Sequence, residues 1–331
     1  MNESATRPAA KTRWVRWALA VAVVALLVRL ASGVAWREVW TTAIAASPRW
    51  LLAAALVNLA TPAVRGARWW VFLRAAGSHS LGLAVHAAYV GSGLNNLLPA
   101  SGGDAARALL VARRSKIPSA TALATLAVDR LVEIATYLAL VIVAPLVVAV
   151  PALIRRGERM AALVLGAVMI AALVVAQIAR HRHRSGHAAP ARPGRLRQHL
   201  RRFVAGIVEI PTASRVIPAL AISLVAWALQ AITYHFTALA TGLPVSFAAS
   251  AVAMLAVNLS FLFPLTPGNV GVFQAVYALT MAAYGVPSDA AVATALLLQA
   301  LQILPMTALA LLLAPDLVLR RPVTVKPPYS R

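Results

Sequence analysis

Apolar residues are grouped along the chain in long runs separated by short polar segments, and they do not alternate with polar residues. A run of about twenty apolar residues crosses a hydrocarbon core ~30 Å thick as a helix. Runs of this kind predict membrane spans at Trp17–Ser32, Trp50–Val64, Ala120–Val150, Met160–Ala179, Val216–Ala240, Phe247–Pro264 and Ala290–Ala314. The pattern therefore predicts an all-α fold, a polytopic integral membrane helical bundle.

Two further apolar segments, Leu83–Leu98 and Val270–Gly285, adjoin Pro and Gly residues that interrupt a helix. Residues from Leu83 to about Ser115 are expected to form a hairpin that enters from the cytoplasmic side and returns. Phe247–Gly285 forms either a hairpin from the opposite side or two full crossings. We therefore expect six to eight transmembrane helices, with one or two re-entrant or broken helices among them.

The two interruptions resemble each other. Leu94–Gly103 and Leu259–Asn269 both contain Leu, small polar residues, large apolar residues, Pro and then Gly, and they begin 165 residues apart. This similarity predicts an inverted-topology repeat with halves 16–179 and 216–314 joined by a basic linker, 180–215, although two unrelated helix breaks remain the alternative. The predicted helix-break residues are Pro99, Gly102, Gly103, Pro264, Pro267, Gly268 and Gly271.

The charge of the protein is strongly positive, with 31 Lys and Arg against 9 Asp and Glu in 331 residues. Basic residues gather in short segments between the apolar runs, as the positive-inside rule expects, so no nucleic-acid partner is needed to explain them. The rule predicts a basic cytoplasmic segment at 1–15, a single membrane domain at 16–314 and a cytoplasmic tail at 315–331. Trp17–Ser32 is then an uncleaved first helix. The same assignment places Arg155, Arg156 and Arg159 on the non-cytoplasmic side of the membrane, against the rule.

Several kinds of chemistry find no support in the sequence. The chain has no Cys, its clustered His residues lie among Arg residues that repel a metal ion, and no Ser, His and carboxylate set has triad-like positions. We therefore expect no metal, no cofactor and a transporter in place of an enzyme. Trp69 and Trp70 are expected to anchor the protein at the membrane interface.

The first interruption carries candidate polar residues. Backbone groups freed by a helix break cannot face lipid, since each unsatisfied group costs several kcal/mol, so the break must be buried or line a wet cavity. Asn95 and Asn96 are expected to satisfy some of these groups. Asp104 falls near the positive end of a helix that starts at the two glycines, and Arg107 lies three residues later, where the two side chains can pair.

A second polar group lies in the run that starts at Ala120. Asp129 and Glu133 are one turn apart on one face, and Arg130 lies three residues before Glu133. Ionisable groups are costly in the bilayer, so these residues are expected to face a cavity that holds a charged headgroup or relays protons. Alternatively, the long run overshoots the bilayer and keeps the three residues at the cytoplasmic interface as a structural salt bridge.

Taken together, these motifs resemble one family over about Leu30 to Leu313: the flippase-like membrane proteins related to the transmembrane domain of lysylphosphatidylglycerol synthases. The residues that carry the resemblance are Arg65, Arg68 and Trp69; Pro99, Gly103, Asp104 and Arg107; Asp129, Arg130 and Glu133; and Pro264, Pro267, Gly268 and Gly271. The resemblance implies a protein of the inner or plasma membrane, in some members one that moves a lipid between leaflets.

The chain also departs from the family pattern. Gln274 stands where relatives usually have an acid, and Gln299 stands where they often have Arg, so an ion pair would be replaced by an amide pair. The large soluble aminoacyl-transferring domain of the synthases does not follow the last span, so synthesis of a lysyl-lipid is not expected of this chain alone.

These features lead to one principal functional hypothesis, a translocase for an anionic lipid carrying a phospho- or polyprenyl-phosphate group, with Arg107 and Arg130 as phosphate ligands. The expected headgroup or cavity residues are Asn95, Asn96, Asp104, Arg107, Asp129, Arg130, Glu133, Gln274 and Gln299. The alternatives are a non-transporting partner of an envelope-lipid or glycan enzyme, and an intramembrane enzyme that uses Asp129 or Glu133 as a base. The sequence does not specify the oligomeric state.

Overall fold

A computed structural model describes residues 36–97, 102–150, 203–207, 209–261 and 269–313, together with scattered positions between 155 and 177. Nine helices are defined within this part of the chain, and it contains no β-strand. They are α1 (Trp36–Ala45), α2 (Pro48–Ala75), α3 (Leu81–Leu97), α4 (Gly102–Ser115), α5 (Ser119–Val147), α6 (Ala213–Ala240), α7 (Phe247–Ser260), α8 (Val272–Ala282) and α9 (Ser288–Leu313).

The predicted helical membrane bundle is confirmed. In the described part of the chain, α2, α5, α6 and α9 are long and apolar enough to cross a membrane, and α7 and α8 are shorter apolar helices. The predicted span Trp17–Ser32 lies outside the described residues, and Met160–Ala179 is described only at scattered helical positions. The expectation of six to eight crossings therefore stays a prediction.

Helix α2 is longer than the apolar run Trp50–Val64 predicted. It continues through Arg65, Arg68 and Trp69 to Ala75. A helix can carry these polar side chains through a membrane domain when they are buried against other helices, because protein groups then replace water as partners. Tertiary contacts thus extend this helix past the point where its hydrophobicity declines.

The order of long and short helices occurs twice. The first group, α2 to α5, has helices of 28, 17, 14 and 29 residues, and the second group, α6 to α9, has helices of 28, 14, 11 and 26 residues. The most extensive helix–helix contact joins α2 to α6, the first helix of each group. This arrangement is what an internal repeat requires, and the repeat itself remains a prediction.

The side chains at the two predicted breaks make matching contacts. Asn95 Nδ2 donates to Asp104 Oδ1 at 3.4 Å, and Asn269 Nδ2 donates to Ser260 Oγ at 2.7 Å, and each bond joins residues nine apart in the chain. Asn95 Oδ1 also accepts from the backbone N–H of Asp104 at 3.2 Å, so an Asn side chain satisfies the start of α4 as predicted.

Helices α3 and α4 approach each other through glycine. A Cβ on Gly103 would collide with the backbone oxygen of Gly91, and one on Gly91 would meet the side chain of Arg107 at 2.8 Å. Only a residue without a side chain allows this approach. The two glycines thus bring the first turns of α4, with Asp104 and Arg107, close to the backbone of α3.

Candidate functional site: a charged polar cavity

A cavity of about 240 Å³ lies between helices of both groups, and we call it the polar cavity. Its lining comes from α2, α3, α4 and α5 of the first group and from α6 and α9 of the second. The lining residues are Asn58, Thr61, Pro62, Arg65, Arg68, Ser92, Asn95, Asn96, Asp104, Arg107, Arg130, Glu133, Gln230, Gln302 and Met306. Nearly all of them are polar or charged, in a protein that is 61% hydrophobic.

The most buried ion pair of the site joins Arg68 on α2 to Asp129 on α5. Arg68 Nε lies 2.7 Å from Asp129 Oδ1 and Nη2 lies 3.1 Å from Oδ2, a bidentate geometry that suits guanidinium and carboxylate. Nη1 of Arg68 donates to Ser223 on α6. Arg68 is 1% exposed and Asp129 is fully buried, so the pair fixes α2, α5 and α6 together. Arg68 lines the cavity, whereas Asp129, which was expected to be a cavity residue, does not, because Arg68 covers it.

Glu133 lies one turn further along α5 and contacts three arginines. Its Oε2 accepts from Arg68 Nη2 at 3.2 Å and from Arg130 Nη1, and its Oε1 lies 3.6 Å from Arg65 Nη2. Arg65 also donates to Gln230 at 3.1 Å. The predicted pairing of Arg130 with Glu133 is thus part of a network that spans α2, α5 and α6.

Asp104 in the first turn of α4 is held by two arginines. Arg130 Nη2 lies 2.6 Å from Asp104 Oδ2 and Arg130 Nε lies 3.1 Å from the same oxygen. Arg107 Nε lies 3.1 Å from Asp104 Oδ1, which is the pairing expected from their spacing. Arg130 therefore bridges Asp104 and Glu133, two carboxylates on different helices.

Arg107 is the arginine of the site with the fewest hydrogen bonds. It is 4% exposed, and both Nε and Nη2 lack a hydrogen-bond partner. Nε lies 3.1 Å from Asp104 Oδ1 without the alignment of a hydrogen bond, and Nη2 lies 3.7 Å from Asp129 Oδ2, which is too far for one. Its guanidinium carbon stands 4.9 Å from the ring centre of Trp69. A cation over an aromatic face is attracted by the ring's quadrupole, so Trp69 helps to hold the guanidinium in place.

The prediction that Trp69 anchors the protein at the membrane interface is wrong. Trp69 is fully buried, its Nε1 donates to Thr125 on α5 at 3.0 Å, and its ring contacts Arg107. A tryptophan beside arginines resembles an interfacial anchor in sequence, but here the neighbouring helices cover the ring completely. Trp70 is partly exposed and donates to the backbone oxygen of His79 at 3.0 Å.

Sequence reasoning missed several residues of the cavity. The sequence analysis interpreted Arg65 and Arg68 as basic residues at the end of a span and as part of a family motif, and it did not predict them in the cavity. The structure places both in the ionic network. The available signal was their spacing, since residues three apart share a face of a helix. A polar side chain inside an apolar run is a similar signal, and three further lining residues carry it: Asn58, Gln230 and Gln302.

Gln274 and Gln299 were expected to belong to the cavity, and the structure places them elsewhere. Gln274 Nε2 donates to Gln299 Oε1 at 2.6 Å, which joins α8 to α9 as the expected amide pair. Both side chains are buried, and neither lines the polar cavity. Gln274 Oε1 also accepts from the backbone N–H of Gly271 at the start of α8.

The predicted helix-break residues are described only in part. Gly102 and Gly103 open α4, and Gly271 precedes α8 with a φ of 86°, a conformation that favours glycine. Pro99, Pro264, Pro267 and Gly268 lie outside the described residues.

The charges of the site do not cancel. Four arginines, Arg65, Arg68, Arg107 and Arg130, contact three carboxylates, Asp104, Asp129 and Glu133. Within the described ranges no group of three or more His, Cys, Asp and Glu side chains has the geometry to hold a metal ion. The arrangement is therefore suited to hold an anion through guanidinium groups.

Comparison with known families agrees with this architecture. The family model described as the lysylphosphatidylglycerol synthase TM region matches residues 17–310. The chain belongs to this family. The match covers the polar cavity and the described helices up to residue 310 of α9, so membership indicates a multi-pass membrane protein related to lipid handling. Curated proteins and solved structures give no match to the chain.

Proposed function

We propose that this protein is a lipid translocase of the bacterial cytoplasmic membrane, which carries an anionic lipid between leaflets through the polar cavity. The observation that carries the proposal is the buried guanidinium of Arg107, a residue that lines the cavity. Its Nε and Nη2 lie 3.1 Å from Asp104 Oδ1 and 3.7 Å from Asp129 Oδ2, and neither nitrogen forms a hydrogen bond. Buried donors without partners are costly, and a phosphate oxygen would satisfy them. We propose a transporter and not an enzyme.

The size of the cavity fits a headgroup and not a whole lipid. Sites that enclose a drug-sized ligand measure roughly 300–1,000 Å³, and the polar cavity is smaller, at about 240 Å³. In the proposed mechanism the headgroup occupies the cavity while the acyl or polyprenyl chains stay in the bilayer. This division avoids exposing the charged group to hydrocarbon during transfer.

The position of the cavity also supports transfer. Its wall combines helices from both groups, and the α3–α4 pair that carries Asp104 and Arg107 is interrupted by the first predicted break. Interrupted helices at the junction of two repeats are a common site of substrate binding in transporters. The distribution of basic residues leads us to propose that the N- and C-termini are cytoplasmic.

The experiment is a leaflet-exchange assay with the purified full-length protein in vesicles that contain a fluorescent anionic phospholipid. Added dithionite quenches the outer leaflet, so exchange is measured as the quenching that exceeds that of protein-free vesicles. We expect exchange with the wild type and a loss of about tenfold or more in Arg107→Gln, which removes a charged phosphate donor. Arg113→Gln is the matched control, because Arg113 is an exposed residue of the same helix.

Two results would contradict the proposal. Exchange by wild-type vesicles at the protein-free rate would exclude translocation of the lipid tested, and equal rates for wild type and Arg107→Gln would exclude this mechanism. Thermal unfolding of both variants in detergent verifies that they are folded before their rates are compared.

A further inference from the structure

Helices α3, α4, α7 and α8 form two pairs that start and end at opposite ends of the bundle. In the first pair, α3 and α4, Ser78 Oγ lies 2.6 Å from Ser115 Oγ, so the start of α3 and the end of α4 meet where α2 ends. The end of α6 lies beside the start of α2, and Thr241 Oγ1 contacts Thr294 Oγ1 in the first turns of α9 at 2.7 Å. The second pair, α7 and α8, lies between α6 and α9 in the chain, so it starts and ends at the opposite end of the bundle.

Charge attaches the first pair to the rest of the bundle and does not attach the second. Asp104 and Arg107 of α4 form ion contacts with Arg130 and Asp129 of α5. Residues 241–288, which include α7 and α8, contain no Asp, Glu, Lys, Arg or His, and the amide pair described above joins α8 to α9 through neutral groups. Coulomb attraction falls off slowly with distance, whereas a neutral hydrogen bond is lost once its two atoms separate beyond bonding range. The second pair is therefore less strongly held against displacement.

Close backbone packing also holds the first pair. A Cβ on Gly66 of α2 would lie 2.7 Å from Val85 Cα of α3, and a Cβ on Gly93 of α3 would collide with the backbone oxygen of Met306 in α9. Neither α7 nor α8 contains a glycine. Helices in a membrane are held together by van der Waals packing, which glycine improves, because lipid tails are as apolar as the side chains that they replace. The apolar faces of α7 and α8 can therefore exchange protein contacts for lipid at a lower cost than α3 can.

Two buried polar atoms of the second pair lack hydrogen-bond partners within the described part of the chain. They are the hydroxyl of Tyr277, a fully buried residue of α8, and Oδ1 of Asn269, which precedes α8 and is 2% exposed. The unpartnered nitrogens of Arg107 differ, because they lie within ion-contact distance of two carboxylates. A buried polar group without a partner is costly, and water satisfies it when the site opens. The observed position of α8 thus carries a cost that displacement relieves.

Gln230 of α6 connects the second pair to the polar cavity, which it lines. Its Oε1 accepts from Arg65 Nη2 at 3.1 Å, and its Nε2 donates to Asn258 Oδ1 of α7 at 3.3 Å. Helix α7 therefore lies behind the part of the cavity wall that α6 supplies. A displacement of α7 breaks the bond to Asn258 and uncovers this wall from behind.

We infer that the α7–α8 pair is the moving gate of the polar cavity and that the α3–α4 pair is its fixed wall. When the gate moves away from α6 and α9, the hydrogen bonds Gln274–Gln299 and Gln230–Asn258 break, and water reaches the cavity from the end of the bundle at which α6 ends. In the proposed orientation of the termini this end is extracytoplasmic. The inference rests on the proposed function only for the purpose that the opening serves.

The chain contains no Cys, so a single introduced thiol reports the movement of one helix. Ala87 is the seventh residue of α3 and Ala253 is the seventh residue of α7, and both are fully buried. Full-length Ala87→Cys and Ala253→Cys proteins in lipid nanodiscs, where both membrane faces are accessible, are reacted with a charged, water-soluble maleimide. We expect Ala253→Cys to react about tenfold or more faster, because water reaches a buried site only when its helix moves. Equal rates, or a faster reaction of Ala87→Cys, would overturn the inference.

Two changes at the neutral contacts should alter the labelling rate in opposite directions. Gln274→Glu together with Gln299→Arg replaces the amide pair by an ion pair, which should slow the labelling of Ala253→Cys by about tenfold. Asn258→Ala removes the bond to Gln230 and should accelerate that labelling by about threefold. Neither change should affect the labelling of Ala87→Cys. Thermal unfolding identifies the folded variants, and an unaltered rate at Ala253→Cys in the folded ion-pair variant would overturn the inference.

Hydrogen exchange of the wild-type protein in nanodiscs measures the same movement without any substitution. We expect the backbone amides of α7 and α8 to exchange about tenfold or more faster than those of α3 and α4, and equal protection of the two pairs would overturn the inference. Neither measurement requires lipid transport. If the second pair is the more mobile and no leaflet exchange occurs, the inference stands and the translocase proposal fails. If leaflet exchange occurs and the two pairs are equally mobile, the translocase proposal stands and the inference fails.

Discussion

Arg65 Nη2 donates to Gln230 Oε1 at 3.1 Å, and these two residues occupy the same position in α2 and α6. They lie 165 residues apart, as do Pro48 and Ala213, the first residues of the two helices. A charged side chain of the first group thus meets a neutral amide at the matching position of the second. The two groups of helices are therefore similar in their order of lengths and differ in the side chains, charged or neutral, that they place in the cavity.

The same difference recurs between the third and fourth helices of each group. Asp104 on α4 pairs with Arg130 on α5, whereas Gln274 on α8 pairs with Gln299 on α9. The ionic contacts of the polar cavity thus come from α2, α4 and α5, while α6 and α9 supply Gln230 and Gln302.

Removing Arg68 is expected to destabilise the fold. Arg68→Met leaves Asp129 buried without its bidentate partner, which costs about 3–5 kcal/mol. An unfolding titration in detergent measures the free energy of unfolding, with Arg113→Met as an exposed control on α4. The double variant Arg68→Met with Asp129→Leu should recover part of the loss, since the uncompensated carboxylate is gone. A loss in Arg68→Met no larger than that of the control would contradict the network.

Introducing one charge into the amide pair Gln274–Gln299 is expected to destabilise the fold, and introducing two opposite charges should destabilise it less. Gln274→Glu buries a carboxylate that has no cationic partner, at an expected loss of roughly 3 kcal/mol. Adding Gln299→Arg supplies that partner at the 2.6 Å contact and should restore at least part of the stability. Thermal unfolding of the two single variants and the double variant measures this coupling, and additive losses would show that the two positions do not interact.

Because α3 and α4 approach closely at Gly103, we expect alanine to lower stability at Gly103 and not at Gly82. Gly103→Ala places a methyl group against the backbone of Gly91 and Asn95, so we expect a loss of about 1–3 kcal/mol as the helices separate. Gly82→Ala on α3 is the matched control, because a Cβ there meets nothing within 4 Å and alanine favours the helix. Melting temperatures compare the two variants, and equal values would be inconsistent with this packing.

Burial of Trp69 predicts that its indole N–H contributes to stability. Trp69→Phe removes the hydrogen bond to Thr125, weakens the cation–π contact with Arg107 and leaves a small cavity, so we expect a loss of about 1–3 kcal/mol. Trp40→Phe is the control, because Trp40 is 68% exposed. Unfolding in detergent should separate the two, and a neutral Trp69→Phe would argue for a ring at the membrane surface.

The predicted fold depended on local properties and was confirmed where the structure describes it. The length of an apolar run determines whether a helix can span a bilayer, and this property is readable from the sequence at Ala120–Val150 or Val216–Ala240. The contact between Asp104 and Arg107 was equally accessible, because residues three apart in a helix are neighbours whatever surrounds them.

The sequence by itself thus determined the helical membrane class, the principal spans and the polar residues that are costly in a bilayer. Only the tertiary structure decided which of those residues meet. Arg68 contacts Asp129 and Ser223, which are 61 and 155 residues away, and the helices around Trp69 bury a ring that looked interfacial. The physical reason is that a helix sequence gives the face on which a side chain lies, whereas the packing of distant helices decides whether that face meets lipid, water or another charge.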